Sequence, residues 1–302
     1  MKPPRFRYVA PRSIDETLAA LAEYGDEAKI LAGGQSLVPL LNFRLARPGV
    51  IVDINGIRSL AYLRRRDNTL AIGAMTRQRA VETSAVVRRW APLLWEGIRL
   101  VGHPQIRTRG TVGGSIAHAD PSAELPAVLA ALDGEAVVRG PEGERIIAAS
   151  EFFTGYLATA LGPADLLTEV RFLLPAPPAG TAFLEVARRH GDFAIVGAAA
   201  VLRRHDGAVA DVRLVFTGVG PGPVRADEAA QLLTGSPGST KAFTEAARAA
   251  AQRLDPDADI HASAEYRREV AAVMARRALE LAWQRSGRTA RSGRGTRRGE
   301  AQ

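Results

Sequence analysis

Two glycine-rich stretches carry the residue types that could hold a phosphate. The first, Leu31-Ala32-Gly33-Gly34-Gln35-Ser36, lies between a strand-like and a helical segment. Glycine lets a backbone approach a ligand closely, and free N–H groups at a helix start attract anions. No Gly-Lys-Ser/Thr follows, so the stretch is not a Walker loop. The second runs Gly110-Thr111-Val112-Gly113-Gly114-Ser115-Ile116-Ala117-His118-Ala119-Asp120-Pro121. Each alone reads better as a plain structural turn. Together, in separate lobes, they point to a cleft that grips a pyrophosphate from two sides. A third stretch, Gly218-Val219-Gly220-Pro221-Gly222-Pro223, puts proline at the third glycine position of a nucleotide fingerprint and opens no helix, so it reads as a structural turn. His118 with Asp120, and His190 with Asp192, have neither zincin spacing nor a third ligand, so no metal site is expected. No nucleophile elbow or Ser-His-Asp order is present.

The elements that must position these loops are legible in outline. Ser13-Ile14-Asp15-Glu16 fits a capping box, Ile14, Leu18, Leu21 and Ala22 form an apolar face, and Gly25 is a stop. Strands follow at Lys29 to Ala32 and Val50 to Ile54, with a helix between them from Leu37 to Leu45. The turn pair Asn55-Gly56 closes this first lobe. A second lobe holds a strand at Leu70 to Ala74 and a helical run from Val81 to Leu94 interrupted by Pro92. Asp120-Pro121 reads as an N-cap followed by an N1 proline, opening a helix to about Leu132. Ala136 to Val138 and Ile146 to Ala148 suggest a hairpin. Pro175, Pro177, Pro178 and Gly180 mark a boundary. Strands at 182–188, 194–202 and 211–217 then precede Ala-rich helices near 241–253 and 264–284, a separate α+β domain. The expected division is 1–57 and 58–175 for the two lobes, 176–284 for the C-terminal domain and 285–302 for a disordered basic tail.

The chain has 302 residues, 46% of them hydrophobic and 24% charged, ample for a folded core. No apolar run is long enough to span a membrane, and the start has no signal-like h-region, so a cytoplasmic location is expected. Lys and Arg number 40 against 32 Asp and Glu, a formal charge of +8. Six arginines and one glutamate fall in residues 285–302, so much of the excess is local. A Gly/Ser/Arg-rich end of this kind reads as a solvated terminus, and no nucleic-acid partner is expected. Cysteine is absent. The chain therefore has no disulfide, no thiol nucleophile and no thiolate for an iron–sulfur cluster.

Three segments together bring a family into view: KILAGGQSLVPLL (29–41), HPQIRTRGTVGGSIAHADPSAE (103–124) and RRHGDFAIVGAAAVL (188–202). They resemble the FAD-binding medium subunit of molybdenum hydroxylases, the family of carbon monoxide and xanthine dehydrogenases. The resemblance spans roughly residues 1–284. It implies an α+β fold: a two-lobed FAD-binding domain of vanillyl-alcohol-oxidase type, then a small C-terminal α+β domain. By that resemblance Ala32, Gly33, Gly34, Gln35 and Ser36 wrap the FAD pyrophosphate. Thr111, Gly114 and Ser115 oppose them at the phosphates and ribityl chain, Ser115 standing where many members have Asn. Glu124 takes a cofactor hydroxyl. Val101 and Gly102 pack on the adenine side with Leu167 near them, and Phe193 lies beside the isoalloxazine. Glu185 falls near a position where some members have Lys.

The resemblance further implies non-covalent FAD in this chain, with the molybdenum cofactor and [2Fe–2S] clusters in partner subunits only. Those partners are a small iron–sulfur subunit and a large molybdenum subunit. A flavin exchanges electrons singly or in pairs, which suits a relay from such a cluster to NAD or a quinone. Two alternatives stay open at this level: a stand-alone FAD oxidoreductase of the same fold, and a basic nucleic-acid binder on a disused flavin fold.

Overall fold

The computed structural model describes residues 2–295. The first lobe comprises β1 (Arg7–Val9), α1 (Ile14–Tyr24), β2 (Ala28–Leu31), α2 (Leu37–Asn42) and β3 (Val50–Asp53), with a parallel sheet in the order β1-β3-β2. The Ser13 hydroxyl accepts the Glu16 N–H (3.1 Å), as the capping box requires. The Glu16 carboxylate takes the N–H of Arg12 (2.7 Å), one residue before the expected donor. The buried face of α1 centres on Thr17, Ala20 and Leu21, and Ala22 is exposed. Leu21 packs with Val50, Val52, Ile54 and Ile57.

The second lobe begins with β4 (Leu63–Arg66) and β5 (Thr69–Gly73). Six short helices follow: α3 (Gln78–Thr83), α4 (Ala85–Trp90), α5 (Pro92–Leu100), α6 (Pro104–Arg109), α7 (Val112–His118) and α8 (Glu124–Ala131). The chain continues through β6 (Glu135–Gly140), β7 (Gly143–Ala148), α9 (Ala149–Phe152), β8 (Phe153–Gly155), β9 (Ala158–Thr159) and β10 (Leu166–Leu173). Its sheet runs β4-β5-β10-β6-β7 and includes the expected hairpin, β6–β7. The helical run from Val81 is cut twice. The Ser84 hydroxyl starts α4 by accepting the Val87 N–H (3.3 Å), and Pro92 starts α5 from its first turn. The Asp120-Pro121 cap is corrected. Asp120 Oδ1 accepts the Ser122 N–H (2.9 Å), a local turn, and the helix begins three residues later with Ala123 as N-cap.

The C-terminal domain is a meander of β11 (Ala179–Ala187), β12 (Ala194–His205), β13 (Ala208–Thr217) and β14 (Val224–Arg225), followed by α10 (Asp227–Leu233), α11 (Thr240–Gln252) and α12 (Ala264–Gly295). Strand β12 is buried on both faces. Ala199 and Val201 join the core of the second lobe, while Ala198, Ala200 and Leu202 pack under α11 and α12. This alternation welds the C-terminal sheet to the second lobe.

The tail expected from residue 285 is also corrected. Helix α12 runs on to Gly295, the Arg285 guanidinium pairs with Glu96 (2.7 Å), and Ser286 is fully buried. Gly and Ser lower helix propensity, but an established helix propagates through them when side chains such as Arg285 find partners. Residues 296–302 of that expectation lie outside the described residues. Among the described residues, no helix is long and apolar enough to cross a membrane.

Candidate functional site: an amide-lined cleft between the lobes

The β2–α2 loop supplies most of the free donors. Among the described residues, none accepts from the backbone N–H of Gly33, Gly34, Gln35, Ser36 or Leu37. The loop is held from behind: Asn55 Nδ2 donates to Ala32 O (2.8 Å), Gln35 Nε2 to Gly33 O (3.1 Å), and the Val38 N–H to Gly34 O (3.0 Å). Gly34 turns at φ +73°, in the left-handed region. Five consecutive amides without protein acceptors form a cradle for an anion.

The second loop meets this cradle across the cleft. A Cβ built on Gly33 would lie 2.6 Å from Arg109 O and 2.8 Å from Gly110 Cα. One built on Gly114 would lie 3.7 Å from Ala32 Cβ. The two stretches singled out in the sequence are thus in van der Waals contact. Their roles differ, however. At the start of α7 the amides are already used. Val112 donates to Thr76 O (3.0 Å), Gly113 to Ala74 O (2.9 Å), Gly114 to Thr111 Oγ1 (3.1 Å) and Ser115 to Thr111 O (3.2 Å). What this side offers is a smooth wall, with the Ser115 hydroxyl half-buried on it.

Helix α6 links this cleft to a second group of expected residues. Its last residue, Arg109, meets Gly33. The residue before its first, His103, meets Gly191, where a Cβ would sit 2.4 Å from the imidazole. These ends are about 9 Å apart along the helix axis. Phe193, two residues past Gly191, is 58% exposed, an aromatic face offered outward. Val101 and the buried Leu167 share the second lobe's core. The buried Arg107 fixes this end: Nη1 donates to Val101 O and Gly102 O (2.9 Å each), and Nε and Nη2 to the Glu82 carboxylate (2.9 and 3.1 Å).

Glu124, the first residue of α8, is buried, and its carboxyl senses that of Glu185 on β11. Burial first, and then Glu185, push Glu124 up to about 8. Asp120 adds to the rise and Arg107 opposes it. Burial alone pushes Glu185 up to about 7, and its Oε2 has no hydrogen-bond partner among the described residues. Both carboxyls therefore hold protons at low pH and become costly to ionise as the pH rises. A raised carboxyl value stabilises the fold fully below the ordinary carboxylate range, and that contribution is lost as pH climbs through 7 to 8. The cofactor-free chain is expected to lose thermal stability between pH 5 and pH 8, by on the order of a few kcal/mol. Melting curves across that range check it. A flat profile in wild type, or an equally steep one in Glu185→Gln, contradicts the assignment.

Asn55, Arg77 and Arg107 carry no sequence signal for their roles. Asn55 was legible only as a turn residue, and the two arginines are hidden among 37. Among the described residues, no group of three or more His, Cys, Asp or Glu could hold a metal ion.

An amide cradle closed by a second lobe, with an exposed aromatic at one end and buried carboxyls between domains, defines a two-lobed α+β protein with a cleft suited to an anionic ligand. Residues 4–176 match the FAD binding domain in molybdopterin dehydrogenase, and residues 181–282 the CO dehydrogenase flavoprotein C-terminal domain. The chain is 44% identical over 287 residues to the 6-hydroxypseudooxynicotine dehydrogenase complex subunit alpha of Paenarthrobacter nicotinovorans, covering 95% of this chain and 97% of that one. It is 41% identical to the caffeine dehydrogenase subunit beta of Pseudomonas sp. (strain CBB1), over 93% and 96% of the two chains. Its fold superposes on a chain of the carbon monoxide dehydrogenase from Hydrogenophaga pseudoflava which lacks the Mo-pyranopterin moiety, with TM-score 0.92 at 39% identity, covering 94% and 99%. The chain belongs to the FAD-binding medium subunits of the molybdenum hydroxylases. It is an oxidoreductase flavoprotein subunit with FAD as its cofactor.

Proposed function

We propose that this chain is the electron-transfer subunit of a cytoplasmic heteromeric molybdenum hydroxylase. It receives electrons from [2Fe–2S] centres of a small partner subunit and passes them to a soluble acceptor such as NAD or a quinone. A large molybdenum subunit oxidises the substrate. The observation that carries this reading is the run of unpartnered amides from Gly33 to Leu37, in a chain without a single cysteine. The cradle fits an anionic pyrophosphate, and the absent thiols put any cluster on another chain.

Bound non-covalently, FAD supplies a carrier that exchanges electrons singly or in pairs. The residues of this chain bind and orient it. The amides of Gly33 to Ser36 neutralise the pyrophosphate, with Ala32 and Gly33 setting the close approach. Thr111, Gly114 and Ser115 close the opposite wall. Val101, Gly102 and Leu167 back the adenine side. Glu124 accepts a cofactor hydroxyl, and Phe193 covers one edge of the ring system and limits water there.

The test separates subunit from stand-alone enzyme. The isolated chain, loaded with FAD, should pass electrons from an artificial reductant to a dye yet oxidise no aldehyde, purine or N-heterocycle. Adding iron–sulfur and molybdenum subunits should restore hydroxylation. Substrate turnover by the chain alone, free of partner contamination, would instead establish a self-sufficient flavin oxidoreductase.

A further inference from the structure

Strands β2 and β3 are parallel, with Leu31 beside Asp53, so whatever follows β3 lies next to the loop that follows β2. Asn55 uses that position. Its Nδ2 donates to Ala32 O (2.8 Å) and to Asp53 Oδ1 (2.6 Å), and its Oδ1 accepts from Arg77 Nη2 (2.7 Å). Arg77 Nη1 in turn donates to Arg109 O, the carbonyl against which Gly33 lies. Tyr8 Oη steadies the far end by donating to Asp53 Oδ2 (2.6 Å). One amide and one guanidinium thus tie together the backbone carbonyls of the two opposed loops.

The geometry gives this tie a direction. In a trans peptide the C=O and N–H point opposite ways. With Ala32 O drawn toward Asn55, the Gly33 N–H is turned away from Asn55, toward the open side. With Arg109 O drawn toward Arg77, the wall facing Gly33 is fixed.

We propose that Asn55 and Arg77 are positioning residues that latch the two lobes together and aim the Gly33 amide, setting the affinity for the cofactor's pyrophosphate without touching it. This rests on the reading of the cradle as the FAD site. The chemistry is selective. Aspartate at 55 would face Ala32 O with an acceptor in place of a donor, though it is isosteric. Lysine at 77 lacks the fork that reaches Asn55 and Arg109 O at once. A cavity of about 550 Å³, lined by Asn55, Arg58, Tyr62, Thr76, Arg77 and Ser84, adjoins the latch.

The cavity makes chemical rescue the deciding experiment. Full-length wild type, Asn55→Asp and Arg77→Ala are titrated with FAD, ADP and riboflavin. FAD and ADP, which carry the pyrophosphate, should each weaken about tenfold or more in the variants, and riboflavin should change little. Millimolar guanidinium should restore FAD binding to Arg77→Ala, and ammonium at equal ionic strength should not. Wild-type affinity for FAD and ADP in both variants overturns the latch. So does equal weakening of riboflavin, or loss that guanidinium leaves unchanged. Failure of wild type itself to bind FAD or ADP would instead strike the cradle assignment.

Discussion

Gly33→Val is expected to abolish FAD binding while leaving the secondary structure in place. The first atom of any side chain at Gly33 would stand 2.6 Å from Arg109 O and 2.8 Å from Gly110 Cα, both backbone. Backbone cannot swing aside as a flexible side chain does, so the two lobes must part or the β2–α2 loop must shift. Either movement takes the amides of Gly33 to Leu37 off the proposed pyrophosphate position. A loss of at least ~100-fold in affinity follows if only ~2.7 kcal/mol of binding energy goes. Gly56→Ala is the control. A Cβ there would meet its nearest atom, Pro11 O, at 3.7 Å, an ordinary contact. Flavin fluorescence titration reads both variants. Wild-type affinity in Gly33→Val would remove this loop from the site.

Arg107→Met is expected to produce the largest loss of stability. The guanidinium is buried and makes four hydrogen bonds, two to Glu82 and two to the carbonyls of Val101 and Gly102. Removing it leaves Glu82, among the described residues, with Arg79 as its one ion-pair partner, and that arginine is half-exposed. Breaking a buried pair from one side costs about 3–5 kcal/mol. For a protein of this size that is a fall of about 10 °C in melting temperature. The hydrogen bond from Arg107 is also the main cause that holds the Glu82 carboxyl below its ordinary value. That contribution is present above the ordinary carboxylate range and is lost as pH falls through the depressed value, so the deficit of the variant should narrow in acid. Replacing Glu82 with leucine in the same chain should recover part of the loss, because no uncompensated charge then remains. A variant that melts with wild type would show the pair to be dispensable.

The features legible in the sequence are those whose cause is local. The Ser13 cap, the β6–β7 hairpin and the strands of the C-terminal meander follow from neighbours a few residues away. Gly33 and Gly114 were legible because glycine marks close approach wherever it occurs. What the sequence hides depends on contacts across the fold. The Asp120 side chain turns back to Ser122 and leaves Ala123 to start α8, a choice between two local hydrogen bonds that tertiary packing decides. Arg285 extends α12 past its expected end because Glu96, far away in sequence, waits for it. Asn55 and Arg77 act through backbone carbonyls of distant loops, and Arg107 through the distant carboxylate of Glu82, and residue type gives no hint of such partners. The amides of α7 illustrate the converse. A glycine-rich helix start reads as a second phosphate cradle, but the carbonyls of Ala74 and Thr76 in the turn after β5, together with Thr111, already occupy its donors.

In the proposed site FAD is held, without a covalent bond, in a cleft whose amides come from Gly33 to Leu37. The most direct test is flavin stoichiometry after acid precipitation of the purified, FAD-equilibrated chain, alongside Gly33→Val. One FAD per wild-type chain should be released intact into the supernatant, and almost none from the variant. A wild-type chain without flavin, flavin that stays with the pellet, or equal flavin in Gly33→Val would contradict this site.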